Sequence, residues 1–426
     1  MRSKALLCIL LLLALAGCQD EAPATESSAT PTPPPSTAEP TPTPEPQPMI
    51  VTLGLWLPQE LDPYGTGPGA AILAQQLADF DDVYPGLQID VTIKESHDPG
   101  GLLDFLSTAR DAAPSVLPDL IVLDTAEIKP AANRGLIQPL DPLFDPALLA
   151  DRFPFATALG TVDEQTFGVV VGADMQILAY RPALLASPPI SWTQVITPPV
   201  TFVFPAQATD LIIDDATLIQ YLAAGGQVTD ADGNPWIDES VLTRVLNFYD
   251  DAVESGAISP EIVLGIADAD QAWHRFQAGW GEITAVRASR FLNEGSPSTA
   301  IASLPTEDGR PASVARGWAI ALVSQDPERQ ESAMLLLNWL TAPERNAQWT
   351  QAAYYLPGTQ SALQLWDLSG ANRAALRSVA ETALPYPQPA TMTVVGPPMQ
   401  DALEAVLTGK ATPKEAATEA ADGLTQ

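Results

Sequence analysis

Asp119-Leu120-Ile121-Val122-Leu123-Asp124 is a short apolar run closed at each end by a carboxylate. Such a run suits a strand buried on both faces. Ile50-Val51-Thr52-Leu53-Gly54-Leu55-Trp56 has the same character, and Leu87 to Ile93 alternates as a further strand. Residues 69–80 place Ala70, Leu73, Leu77 and Phe80 at helical spacing, before a turn at Tyr84-Pro85-Gly86. Residues 101–112 form another amphipathic pattern. Strand, helix, strand, helix, strand predicts a parallel α/β sheet. Ligands of such sheets bind outside the carboxyl ends of the strands. The loops after Trp56 and Leu123 therefore border a candidate site.

The N-terminus carries a different signal. Arg2 and Lys4 precede an unbroken apolar run, Ala5 to Ala16, which is too short for a permanent membrane span of ~20 residues. The run closes on Leu15-Ala16-Gly17-Cys18, which resembles the bacterial lipobox, where the cysteine is lipidated after cleavage just before it. The expected layout is a signal peptide over 1–17 and a lipid anchor on Cys18. Residues 19–48 hold ten prolines and nine Ser/Thr, with no aromatic, Leu, Ile or Val. That composition cannot bury enough apolar surface to offset ordering, so 18–48 reads as an extended stalk. It implies an extracytoplasmic protein anchored by lipid at the cell membrane.

The 378 residues from Met49 onward exceed the size at which one core usually divides, so two lobes are expected. Both cysteines, Cys8 and Cys18, lie in the export signal, so the folded part has no disulfide. Cleavage before Cys18 removes Arg2 and Lys4 from the 20 basic residues, leaving 18 against 52 acidic ones. This balance argues against nucleic acid and against direct adhesion to anionic lipid, and favours solubility. No second apolar run is long enough to span a bilayer.

Further along, several phrases appear in a fixed order. They are Tyr84-Pro85-Gly86-Leu87, Pro118 to Asp124, Arg134-Gly135-Leu136-Ile137-Gln138-Pro139-Leu140, Phe167-Gly168-Val169, Leu178 to Leu185, Phe276-Gln277-Ala278-Gly279, Leu304-Pro305-Thr306 and Ala333 to Leu340. The series ends on Leu407-Thr408-Gly409-Lys410. Over residues 50–420 it resembles the extracellular solute-binding proteins of ABC importers, in the branch that includes maltose-binding protein. Ala179-Tyr180-Arg181 stands where that family often has two aromatics and an Asn. Ala285-Val286-Arg287 replaces its usual small-Met ending.

The resemblance implies a two-lobe α/β fold of the periplasmic-binding-protein type, with a hinge and a ligand cleft between the lobes. One lobe would take 50–165 with 300–340, the other 168–298 with 341–426. The crossings would lie near Gln165-Thr166-Phe167-Gly168 and Ser298 to Ser303. It further implies a monomer that binds a small, sugar-like ligand and serves ABC permease subunits, without catalysis or cofactor.

Sugar-binding sites pair aromatic platforms with a few polar groups. Trp56 ends the first strand, as a platform or as core. Asp124 ends the third, as ligand acceptor or as the N-cap of the next segment. Trp318, after Arg316-Gly317, precedes a strand on the family pattern. Arg287, Ser289, Arg290 and Phe291 follow the apolar run to Val286, where the family places a cleft aromatic. Phe204 and Gln207 lie in a similarly placed loop. Trp339 and Trp349 fall within a helical pattern and read as packing.

Catalytic signals are thin. Neither His97 nor His274 has a second ligand at metal spacing. Asp230-Ala231-Asp232-Gly233-Asn234 starts like a calcium loop, but Pro235 and Val241 occupy positions that require Gly and Glu. No nucleophile elbow, phosphate loop or dinucleotide fingerprint appears. Asp214-Asp215 is the pairing expected by number in so acidic a chain. A surface lipoprotein of the same fold, turned glycan-active enzyme or adhesion and assembly component, is the alternative.

Overall fold

The computed structural model describes residues 50–97, 100–144, 150–207 and 212–424. The export signal, Cys18 and the stalk lie outside these residues. The first three strands form where the apolar runs placed them: β1 Val51–Pro58, β2 Leu87–Lys94 and β3 Leu120–Asp124. Helices Ala70–Val83 and Leu102–Ala112 connect them, and β1 pairs parallel with both neighbours. Then follow β4 Gly168–Tyr180, β5 Phe202–Val203, β6 Ile283–Arg287, β7 Ala300–Ala302, β8 Val314–Leu322 and β9 Leu384–Pro385.

The strand order is β2-β1-β3-β8-β4-β6-β5, with β7 beside β4 and β9 beside β8. The sheet is mixed rather than wholly parallel, because β8 runs antiparallel to both β3 and β4. β4 is long enough to serve two ends of the sheet. Its Gly168–Met175 portion pairs with β8, and its Gln176–Tyr180 portion pairs with β6 and β7.

Three large apolar clusters, and a small one of Val203, Ile266 and Ala272, form among the described residues. Leu53, Leu73, Phe80, Val122, Ile320, Leu337 and Trp349 pack in the first lobe. Phe202, Phe204, Leu246, Tyr249, Met399 and Leu403 pack in the second. A third cluster runs through both, from Leu123 and Phe153 by way of Ala173 and Ile177 to Trp273 and Val286. Many carboxylates have structural work. Asp124, Asp214, Asp238, Asp268 and Asp326 each cap a helix by accepting from its first N–H groups. Such caps are worth about 0.5–2 kcal/mol each.

Three local features bear on the expected division of the chain. Gln165-Thr166 is part of a tight hairpin with Thr161-Val162, and no break in the long strand follows it. Helix Pro343–Ala353 was expected beyond the first lobe, yet its Trp349 and Ala353 pack with Leu53 and Leu73 there. Ala300–Ala302, expected in the first lobe, instead pairs with the Leu178–Tyr180 end of β4. Helices Pro389–Leu407 and Pro413–Asp422 pack in the second lobe, against Glu239–Ser255.

Candidate functional site

Register builds the site. Side chains two apart on a strand share a face. In β4 these are Asp174 and Gln176; in β8 they are Val314, Arg316 and Trp318. Pairing sets Asp124 and Gly172 on either side of Trp318, Arg316 opposite Asp174, and Gln176 opposite Arg287. The shared face lines a chamber of about 160 Å³, completed by Asp215 and Tyr355. Asp124 and Arg316 also border an adjoining cavity of about 640 Å³ that extends past Glu127, Lys129 and Tyr386. Gly317 lets the strands approach this closely: a Cβ there would sit 2.2 Å from the Gly172 carbonyl oxygen.

The polar groups are held from several elements. Asp124 Oδ1 accepts from the Ala126 N–H at 2.8 Å, and Oδ2 lies 3.7 Å from His97 Nε2. The His97 ring stacks along Trp318, centroids 6.2 Å apart. Asp174 accepts from the Ser289 hydroxyl at 2.5 Å and its N–H at 3.0 Å. Arg316 donates to Asp215 and lies 3.9 Å from the Tyr386 ring centre.

Burial pushes the carboxyls of Asp124 and Asp174 up, against the hydrogen bonds and cations that favour their charge. Burial, then repulsion from Asp124, raises Glu127 to about 7. Burial, then Asp215, raises Asp214 to about 7. Aromatic faces beside carboxylates and guanidinium groups can hold a polyhydroxylated molecule by its apolar faces and polar edges together.

The nine expected contact residues separate into distinct environments. Asp124, Arg287 and Trp318 border one chamber. Asp124 is both cap and wall, and Trp318 stands inside β8 rather than before it. Ser289 supports Asp174 rather than lining the chamber. Trp56 is a core residue, 4% exposed, covered by Phe105 at 5.2 Å and by Lys94. Phe204 is enclosed between Phe202 and Tyr249. Phe291 packs edge-on against Trp273. Arg290 is engaged by Asp270 and Glu294. Gln207 is exposed, and its N–H donates to the Ile266 carbonyl; it lines neither cavity. Trp56, Asp124, Arg287 and Trp318 stand on strands, where a side chain faces the cleft or the core according to strand parity, which the neighbouring register decides; Ser289, Arg290 and Phe291 stand on the helix Ala288–Glu294.

Asp174, Gln176, Arg316, Tyr355 and Tyr386 escaped the sequence reading. One signal was present. Asp174 and Gln176 are two apart in the otherwise apolar stretch Gly168–Tyr180, and buried strands rarely carry such a pair without use. A separate cavity of about 580 Å³ lies at the opposite, amino end of β3, around Asp119 and Arg329. There both Asp119 oxygens are already taken, by Arg329 and the Gly54 N–H.

Comparisons place this geometry among known proteins. The cyclic α-maltosyl-1,6-maltose binding protein from Arthrobacter globiformis matches with a TM-score of 0.69 at 19% identity, over 88% of this chain and 98% of that one. The sugar-binding protein MalE from Xanthomonas citri matches with a TM-score of 0.67 at 20% identity, over 87% and 96%. An ABC transporter solute-binding protein from Thermotoga lettingae, bound with α-D-tagatose, matches with a TM-score of 0.62 at 20% identity, over 88% and 98%. These likenesses establish the two-lobe fold of periplasmic binding proteins. No curated protein sequence matches the chain. The profile of the family described as bacterial extracellular solute-binding protein matches residues 75–374, well over half of the sequence. The chain belongs to the bacterial extracellular solute-binding protein family.

Proposed function

We propose that this protein captures a small polyhydroxylated ligand, a carbohydrate by default, and delivers it to the permease of an ABC importer. The observation that carries the reading is the shared face of β4 and β8. It sets Trp318 beside Asp124, Asp174 and Arg316 in a chamber of about 160 Å³. Tyr355 and Arg287 complete the proposed contacts. The solved relatives named for maltose, mannobiose and tagatose support the ligand class.

The protein acts by binding, without catalysis. The lobes close on the ligand as a hinge motion about the crossing strands, rather than about Gln165–Gly168. Cys18 carries the lipid that tethers the chain outside the cell, and the Pro-rich stalk holds the lobes clear of the membrane. One lobe is built on 50–165 with β8 and helices 327–353, the other on 176–302 with the C-terminal helices.

A thermal-shift panel of sugars and polyols tests the ligand class. A ligand at a hundred times its Kd stabilises the native state by ~2.7 kcal/mol. Small-angle scattering with the best binder should show a smaller radius of gyration. A panel without any stabilising sugar would remove the carbohydrate reading, and an unchanged radius would remove closure. Cys18→Ala should release the protein from membranes or block its maturation; membrane retention at the wild-type mature mass would exclude the tether.

A further inference from the structure

We infer that Gln176 is a specificity-determining residue of the cleft, its side-chain carbonyl accepting a hydrogen bond from one hydroxyl or N–H of the bound molecule. The inference rests on the carbohydrate reading only for the class of that molecule.

Gln176 is 2% exposed, and its Oε1 is buried with no protein partner. Burying a polar atom unpaired costs stability, so native proteins rarely do it without a use. Six side-chain atoms are in this condition among the described residues. Two of them belong to residues that line these cavities: Gln176 of the chamber and Glu127 of the adjoining cavity.

The backbone holds Gln176 in place. Its carbonyl accepts from the Ser313 hydroxyl at 2.7 Å, and it pairs with Arg287 across β4 and β6. The backbone at Gln176 cannot shift without breaking the sheet register. Around it, Asp174 and Asp215 offer charged acceptors, while Arg287 and Arg316 offer donors. Gln176 is the one neutral amide side chain lining the chamber among the described residues. A neutral acceptor tests for the presence of a donor, not for its charge. A site with such a group rejects an analogue that leaves it unpaired.

Gln176→Met keeps the length of the side chain and removes the orphaned carbonyl. The full chain and this variant are unfolded in urea without sugar, then titrated by calorimetry with maltose, mannobiose and D-tagatose. The variant should unfold at an equal or higher urea concentration than the wild type. Its affinity for any of the three sugars that the wild type binds should fall at least about tenfold, the loss of one hydrogen bond into a desolvated site. These two effects have opposite signs, which a structural glutamine would not produce. A lower midpoint, or failure to fold, overturns the inference, as does undiminished affinity. If the wild type ignores all three sugars, that failure falls on the ligand class. The urea comparison then decides for Gln176 alone: an equal or raised midpoint upholds a carbonyl left unpaired for a ligand, and a lowered one rejects it.

Discussion

Ser289 donates twice to Asp174, from its hydroxyl at 2.5 Å and its backbone N–H at 3.0 Å. The two residues are 115 positions apart, and the pairing of β4 with β6 brings them together. Burial pushes the Asp174 carboxyl up, and Ser289 pulls it back. Ser289→Ala removes the hydroxyl bond and should raise the carboxyl further. The variant should lose about 1–2 kcal/mol at neutral pH, where the charged form needs the donor. The loss should shrink at about pH 4, as protonation removes that need. Urea unfolding at both pH values checks this; equal losses would count against it.

The tryptophans at the strand ends should separate in paired measurements. Trp56 lies beneath Phe105 and Lys94, so Trp56→Ala should cost about 3–5 kcal/mol of stability. Its sugar affinity should stay near wild type. Trp318→Ala should lower affinity roughly thirtyfold, about 2 kcal/mol. It will also lose stability, because Trp318 belongs to the first-lobe core. Calorimetry and denaturant unfolding on each variant decide the assignment.

Glu127 makes stability depend on pH. Its carboxyl rises from 4.5 to about 7 in the folded protein, first through burial and then through Asp124. The folded state therefore binds this proton more tightly than the unfolded chain. The favourable contribution is complete below about pH 4.5 and is lost as pH rises through about 7. Glu127→Gln, neutral throughout, should be more stable than wild type by about 1–3 kcal/mol at about pH 8, with little gain at about pH 4.5. Asp214, also raised to about 7, should preserve part of the slope. A gain at the acidic end only would reverse the sign and reject the account.

Gly317 should tolerate no side chain. A Cβ would meet the Gly172 oxygen at 2.2 Å and the Ala173 Cα at 2.6 Å, both backbone atoms. Gly317→Ala should cost 1–3 kcal/mol or more, since the crossing strands must part. Gly86→Ala is the control. It meets nothing within 4 Å and should stay within about 0.5 kcal/mol of wild type. Similar urea midpoints for the two variants would show that the strands have slack at the crossing.

The run Asp119–Asp124 announced its strand because an apolar stretch between carboxylates has few other ways to be satisfied. Asp124 was legible as a cap for a similar reason: its bond to the Ala126 N–H spans two residues. Helices Ala70–Val83 and Leu102–Ala112 followed from spacing that a single segment contains. These are local matters, and the sequence by itself determined them. The double pairing of β4 was not local. Gly168–Tyr180 reads as one apolar strand, and only its partners show that one end serves β8 while the other serves β6 and β7. The cleft was decided the same way. Trp56 and Trp318 are both tryptophans of buried strands, yet one faces Phe105 and the other the chamber. Side-chain direction alternates with each residue, so a site assembled across strands depends on register between segments far apart in the chain. That register comes from packing and backbone pairing across the sheet, and tertiary structure alone could set it.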